Sequence, residues 1–171
     1  TVYVAPTPYL EISIDRDSIC RGEMISIHAD YLYTATDVIW DFGDGSVIRS
    51  MSNNMDHSYG DPGRYIITVK TEHPVCAVGE EGLVAMDSVW VKPYPQINLG
   101  SDTALCLKGS PIYLDPATLV SNPSGTVYYW STGDSTSLLK ITEPGVYRVT
   151  ADLDGCLTSD EIEVNKDCYA D

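Results

Sequence analysis

Apolar and polar residues alternate with a period of two along most of this chain. Leu10-Glu11-Ile12-Ser13-Ile14 is the plainest case. In a strand, alternate residues share a face, so the pattern predicts half-buried strands. The same reading predicts strands over 24–29, 37–42, 47–51, 63–70 and 84–91. Further along it predicts strands over 96–99, 111–114, 126–130, 137–141, 145–151 and 161–164. These runs are short, rich in Val, Ile, Tyr and Thr, and bounded by Gly, Pro, Asp and Ser. No long stretch keeps a helical period. The expected class is all-β, with two β-sandwiches in tandem.

The most informative segment is Trp40-Asp41-Phe42-Gly43-Asp44-Gly45-Ser46. Trp40 and Phe42 fall on one strand face and predict a core anchor. Gly43-Asp44-Gly45 then predicts a reversal, because Gly tolerates positive φ and Asp bonds its own local backbone.

The design repeats. The Cys20 to Ile27 segment has a counterpart in Cys106 to Leu114, and the Trp40 turn has one in Trp130-Ser131-Thr132-Gly133-Asp134-Ser135. Pro62-Gly63-Arg64-Tyr65 answers to Pro144-Gly145-Val146-Tyr147, Cys76 to Cys156, and 87–91 to 160–164. The landmarks keep their order at a spacing of roughly 75 to 90 residues, the size of one sandwich domain. The expected layout is a sandwich over 9–92, a Pro-rich linker over 93–95, a sandwich over 96–165 and a tail over 166–171. Residues 2–8 resemble 89–95, so 1–8 is read as the end of a preceding repeat and its linker. A short N-terminal strand of the first domain is the alternative. Two prolines in Lys92-Pro93-Tyr94-Pro95 favour a semi-rigid joint.

Four of the five cysteines fall at equivalent places. This predicts disulfides Cys20–Cys76 and Cys106–Cys156, each from the loop before the second strand to the loop after the Tyr-rich strand, and an oxidising compartment. Each would stabilise its domain by roughly 4 kcal/mol on the chain-entropy model. Buried free thiols are the alternative. Cys168 has no counterpart.

The net charge of −15 argues against nucleic acid and anionic membrane surfaces. No apolar run approaches the roughly 18 residues of a membrane helix. The acidic loops leave room for weak Ca²⁺ binding, but no EF-hand spacing is present. Asp41 and Asp44 read as turn residues before they read as paired catalytic carboxylates. His57 reads as a packing and hydrogen-bonding residue near Trp40. His28 and His73 are scattered, and no HExxH or CxxC occurs. No nucleophile elbow or phosphate loop is found, so no catalytic residue and no cofactor is expected. Tyr65 and Tyr147 fit the tyrosine-corner pattern. Tyr31 and Tyr33 share a face and are candidate contacts for a sugar ring or protein partner, with core or edge packing the alternative.

Trp40 to Ser46, then His57-Ser58-Tyr59, then Pro62 to Val69 resemble the signature of the PKD domain. The resemblance covers most of 9–92 and implies an Ig-like sandwich of a surface or secreted protein, used as spacer or interaction module. Trp130 to Ser135, Gly145-Val146-Tyr147 and Gly155-Cys156 resemble related Ig-like repeats of large Bacteroidota surface proteins, among them gliding-associated adhesins and cargo of the type 9 secretion system. In those, a sorting domain often follows a cysteine placed like Cys168. Tripeptides at Asp17-Ser18-Ile19, Asp87-Ser88-Val89, Asp102-Thr103-Ala104 and Asp134-Ser135-Thr136 resemble that group's O-glycosylation pattern. This implies Ser18, Ser88, Thr103 and Ser135 as acceptors, three of them in expected loops. The functional expectation is a non-enzymatic, extracellular spacer or adhesion region that presents neighbouring domains of the same chain. The alternative is an accessory carbohydrate- or protein-binding module of a secreted hydrolase.

Overall fold

The computed structural model describes residues 9–31, 38–71, 82–105, 111–118 and 121–166. Described elements are all strands. The chain divides into two compact units, Thr1–Lys92 and Pro93–Asp171.

Unit 1 holds β1 (Leu10–Ile14), β2 (Ser18–Cys20), β3 (Met24–Tyr31), β4 (Val38–Asp41), β5 (Val47–Ser50), β6 (Asn54–Ser58), β7 (Gly63–Thr71) and β8 (Val84–Lys92). They form a three-stranded sheet in the order β1-β3-β6 and a five-stranded sheet in the order β2-β8-β7-β4-β5. The alternation in β3 fixes its inward face, with Ile25, Ile27 and Ala29 buried and Met24, Ser26 and His28 exposed. From the opposite sheet come Trp40, Ile67, Val69, Val89 and Val91, all buried in the same core. Fully burying a side chain of this size is worth roughly 1.5–3 kcal/mol, so the sheet-to-sheet core holds the unit together.

Unit 2 holds β9 (Thr103–Leu105), β10 (Ile112–Leu114), β11 (Val127–Trp130), β12 (Leu139–Ile141), β13 (Gly145–Leu153) and β14 (Cys156–Lys166). The sheets are β11-β13-β14-β9 and β10-β12. Trp130, Ile141, Val149, Ala151, Ile162 and Val164 build its core.

The duplication is visible in the ladders. β4 pairs with β7 and β7 with β8, as β11 pairs with β13 and β13 with β14. In each unit a three-residue strand runs parallel to the last strand: β2 beside β8, and β9 beside β14.

Several expectations need correction. Gln96–Leu99 is not a strand. Its amides are met singly, Gln96 by Asn122 Oδ1 (2.7 Å), Asn98 by the Pro116 carbonyl (3.0 Å) and Leu99 by Asp160 Oδ2 (2.8 Å). Strands β2, β6 and β9 were not expected. Cys20 ends a strand and Cys156 begins one, so neither sits in a loop. The last strand starts at Cys156 rather than at Glu161 and runs into the expected tail at Lys166.

Candidate functional site

The Trp40–Ser46 signature ends β4 and makes the turn into β5. Trp40 and Phe42 are fully buried. The Phe42 amide donates to the Ser46 carbonyl (3.1 Å), closing the loop. Each aspartate serves the turn. Asp41 Oδ1 accepts from the Gly43 amide (2.9 Å) and Asp44 Oδ1 from the Ser46 amide (2.8 Å). Gly43 has φ +79°, and a Cβ there would lie 2.5 Å from the Ile66 carbonyl oxygen, so backbone approach demands glycine.

What the sequence did not show is where His57 points. It leaves β6 on the three-stranded sheet and stacks on Phe42 of the other sheet, with ring centroids 4.0 Å apart and planes at 13°. Tyr59 meets His57 edge-on at 4.8 Å, and Tyr65 stacks on Tyr59 at 4.2 Å. Four rings thus form one row, in which His57 from the three-stranded sheet sits between Phe42, just past β4, and Tyr59, which in turn meets Tyr65 of β7. His57 Nε2 lies 2.8 Å from Asp44 Oδ2, so the ring row is tied to the turn. The Tyr59 hydroxyl donates to the Phe42 carbonyl (3.1 Å). Burial, then the Asp44 carboxylate and Tyr65, push the Tyr59 phenol well up. Burial would raise Asp44 too, but the His57 bond and the Ser46 amide outweigh it and hold its pKa below the ordinary carboxylate value.

Both tyrosine corners form. The Tyr65 hydroxyl donates to the Asp61 carbonyl (2.9 Å) and that of Tyr147 to Glu143 (2.7 Å), each four residues upstream. Unit 2 repeats the Trp turn without the ring row. The Trp130 amide donates to the Asp134 carbonyl (2.9 Å), and its indole Nε1 to the Thr136 carbonyl (2.8 Å). Trp40 Nε1, by contrast, is buried without a hydrogen-bond partner.

Cys20 and Cys156 are both disulfide-bonded. The expected partners Cys76 and Cys106 lie outside the described residues, as do Cys168, Tyr33 and His73. Tyr31 is half-buried and packs against the unit 1 core. Of the glycosylation candidates, Ser18 is in β2, Ser88 in β8 and Thr103 in β9, all partly buried. This corrects the expectation of three loop sites. Only Ser135 lies in an exposed non-strand segment.

Two open clefts lie on outer sheet faces. One of about 340 Å³ is lined by Ser13, Asp15, Ser26, His28, Asn54 and Asp56. Its groups pair among themselves: Ser26 Oγ donates to Asp56 Oδ1 (2.6 Å), the Ser26 amide to Asp15 Oδ1 (2.9 Å), and His28 Nδ1 meets Asn54 Oδ1 (2.8 Å). The other, about 250 Å³, lies by Arg148, Ser159, Asp160 and Glu161, with Arg148 bonded to Glu161. Among the described residues no group of three or more His, Cys, Asp or Glu is placed to hold a metal. No described helix is long and apolar enough to cross a membrane.

The outer sheet faces carry aromatic residues that the sequence reading left unassigned. On the five-stranded sheet of unit 1, Trp90 is 54% exposed and stands opposite Arg64. Ile66, Met86, Val84 and Val47 are exposed beside it. Arg49 and Lys70 share this face, Lys92 lies at its rim, and Asp41 is the carboxylate on it among the described residues. On the four-stranded sheet of unit 2, Tyr129 is 51% exposed, with Val127, Val146 and Leu157. Asp152, Glu161 and Glu163 share that face with Arg148.

Residues 5–74 match the family model of the PKD domain. Unit 1 therefore carries a PKD domain, and the four-stranded sheet of unit 2 repeats the ladder order of the five-stranded sheet of unit 1. No curated protein matches the chain. Among solved structures, the chain is similar to the three N-terminal domains of the bacteriophage RB49 Highly Immunogenic Outer Capsid protein (12% identity, TM-score 0.39, covering 94% of this chain and 59% of that one). It is also similar to carbohydrate-binding modules of the β-sandwich superfamily (13%, TM-score 0.46, 85% and 54%) and to murine CEACAM1b (13%, TM-score 0.43, 92% and 100%). The chain thus spans a little over half the length of the phage and carbohydrate-binding structures.

Proposed function

We propose that this chain is a non-enzymatic, extracellular spacer or adhesion region of a larger surface or secreted protein, and that it presents neighbouring domains. The supporting observation is the use made of the signature residues. Asp41, Asp44, His57, Tyr59 and Tyr65 bond to the backbone or to one another and join the two sheets. Groups committed in this way hold shape and leave no acid–base pair aimed at a substrate. The disulfide at each of Cys20 and Cys156 supports an oxidising, extracellular setting. The type 9 secretion and gliding assignments extend this reading by resemblance alone.

The test replaces the segment in its parent protein by a Gly/Ser chain of equal length. The expected result is weaker surface display or reach of the neighbouring domains. Unchanged display would overturn the spacer reading.

The exposed Trp90 and Tyr129 favour a second reading, a carbohydrate- or protein-binding module. Tyr31 and Tyr33 belong to the same proposal, although Tyr31 is committed in part to the core. A glycan array on the intact chain decides it: specific binding lost in Trp90→Ser supports it, and no binding removes its carbohydrate form. Glycosylation is proposed foremost at Ser135, and an intact mass without added hexose from the native host would dispose of it.

A further inference from the structure

Net charge is −15, yet one face of unit 1 is basic. On the outer face of the five-stranded sheet, Arg64 and Lys70 stand with one carboxylate among the described residues, Asp41, and Arg49 and the rim residue Lys92 share the face with contacts of their own. The same face exposes Trp90, Ile66, Met86 and Val84, between 48% and 66% accessible. The pattern runs in cross-strand rows: Ser18–Trp90–Arg64, then Met86–Thr68–Asp41–Val47, then Val84–Lys70–Ile39–Arg49. Trp, Met and Arg together are the residues enriched in the buried centre of protein interfaces. A monomer rarely leaves so many large apolar side chains on one sheet face without a partner.

The chain also carries the matching surface. On the outer face of the four-stranded sheet in unit 2, Val127, Tyr129, Val146 and Leu157 are exposed. Their cross-strand neighbours include Asp152, which lies between Val127 and Leu157, and Glu163 opposite Val146. Arg148 is bonded to Glu161 there, which leaves Asp152 and Glu163 to set the sign of the face. Both faces expose large apolar side chains, and they are opposite in charge.

We propose that the basic apolar face of unit 1 in one copy docks on the acidic apolar face of unit 2 in a second copy. Attraction between the faces acts at contact distance. Repulsion between the net charges acts over longer distances and is screened beyond about 8 Å at physiological salt. Because the two faces differ, the contact is head-to-tail, and every chain offers one of each. Trp90 and Tyr129 act as the buried anchors, and Arg64 and Lys70 set the register against Asp152 and Glu163.

The experiment uses the whole oxidised chain and two charge-reversed variants, Arg64→Glu with Lys70→Glu, and Asp152→Lys with Glu163→Lys. Sedimentation is followed up to about 0.5 mM, a range that captures weak pairing. Circular dichroism checks that each variant keeps its fold. Parent chains are expected to associate with rising concentration, and less so at high salt. Either variant alone is expected to bind itself at least tenfold more weakly, because both of its faces then carry one sign. An equal mixture of the two variants is expected to associate again. Trp90→Ser should weaken the parent by a similar factor. A parent that stays monomeric throughout, a variant that self-associates as tightly as the parent, or a mixture that stays dissociated would each overturn the proposal. So would binding of an anionic polysaccharide to the Trp90 face in a chain that never self-associates.

Discussion

Two tryptophans hold equivalent places and end differently. Trp130 Nε1 donates to the Thr136 carbonyl, whereas Trp40 Nε1 is buried with no acceptor. An unmet buried donor costs about 1–3 kcal/mol. Trp40→Phe therefore removes a penalty along with the lost volume, and Trp130→Phe strands a carbonyl. Denaturant unfolding should show Trp130→Phe to be the costlier change by about 1 kcal/mol or more. Asp44 gives a second test at this scale. Its folded-state pKa lies below the ordinary value, so its contribution is complete above the unfolded-state pKa. It is lost as pH falls through the folded one. Melting temperature should fall on acidification from about pH 5 downward, and Asp44→Asn should flatten that decline at the cost of lower stability at neutral pH. A variant that keeps the full acid sensitivity would assign the effect to other carboxylates, Asp15 first, whose pKa the Ser26 amide holds low.

At the scale of elements, alternation found the long strands because burial repeats at every second residue over eight or nine positions in β3, β7 and β8. Three-residue strands such as β2 and β9 contain too few positions to show a period, and they exist because a parallel neighbour pairs with them. β6 (Asn54–Ser58) is polar in sequence, and only Met55 and His57 turn inward. Gln96–Leu99 alternates as a strand should, yet Asn122 and Asp160 side chains satisfy its amides instead of a ladder. Asn122 also donates from Nδ2 to the Gln96 carbonyl and the Tyr128 hydroxyl. Asn122→Ala should release the 96–99 segment, seen as faster amide exchange there, with a stability loss of about 1–2 kcal/mol. The His57–Asp44 contact was illegible for a related reason. It joins residues 13 apart, one in the β4–β5 turn and one on the three-stranded sheet, and only the packing of the two sheets brings them together.

For the whole molecule, repeat logic read from a handful of landmarks matches two units with the same ladder order. What it missed were the outward faces. Alternation marks Trp90 and Tyr129 as the solvent side of their strands but does not say that other apolar residues join them there. The same repeat predicts one disulfide within each unit, with Cys20 and Cys156 as the bonded cysteines among the described residues. Peptide mapping under non-reducing conditions should recover Cys20 linked to Cys76 and Cys106 linked to Cys156. Reduction should then cost each unit roughly 4 kcal/mol. A cross-unit link in the map would refute the one-bridge-per-domain scheme.

The parallel pairing of β9 with β14 has a consequence for load. Thr103–Leu105 is the first strand of its unit and Val164–Lys166 the end of the last, and they lie side by side pointing the same way. Tension applied through the two ends drags these strands past each other lengthwise. Their hydrogen bonds then share the force and must rupture together, unlike a hairpin that unzips one bond at a time. A tether built this way yields abruptly at a threshold pull and hardly creeps below it.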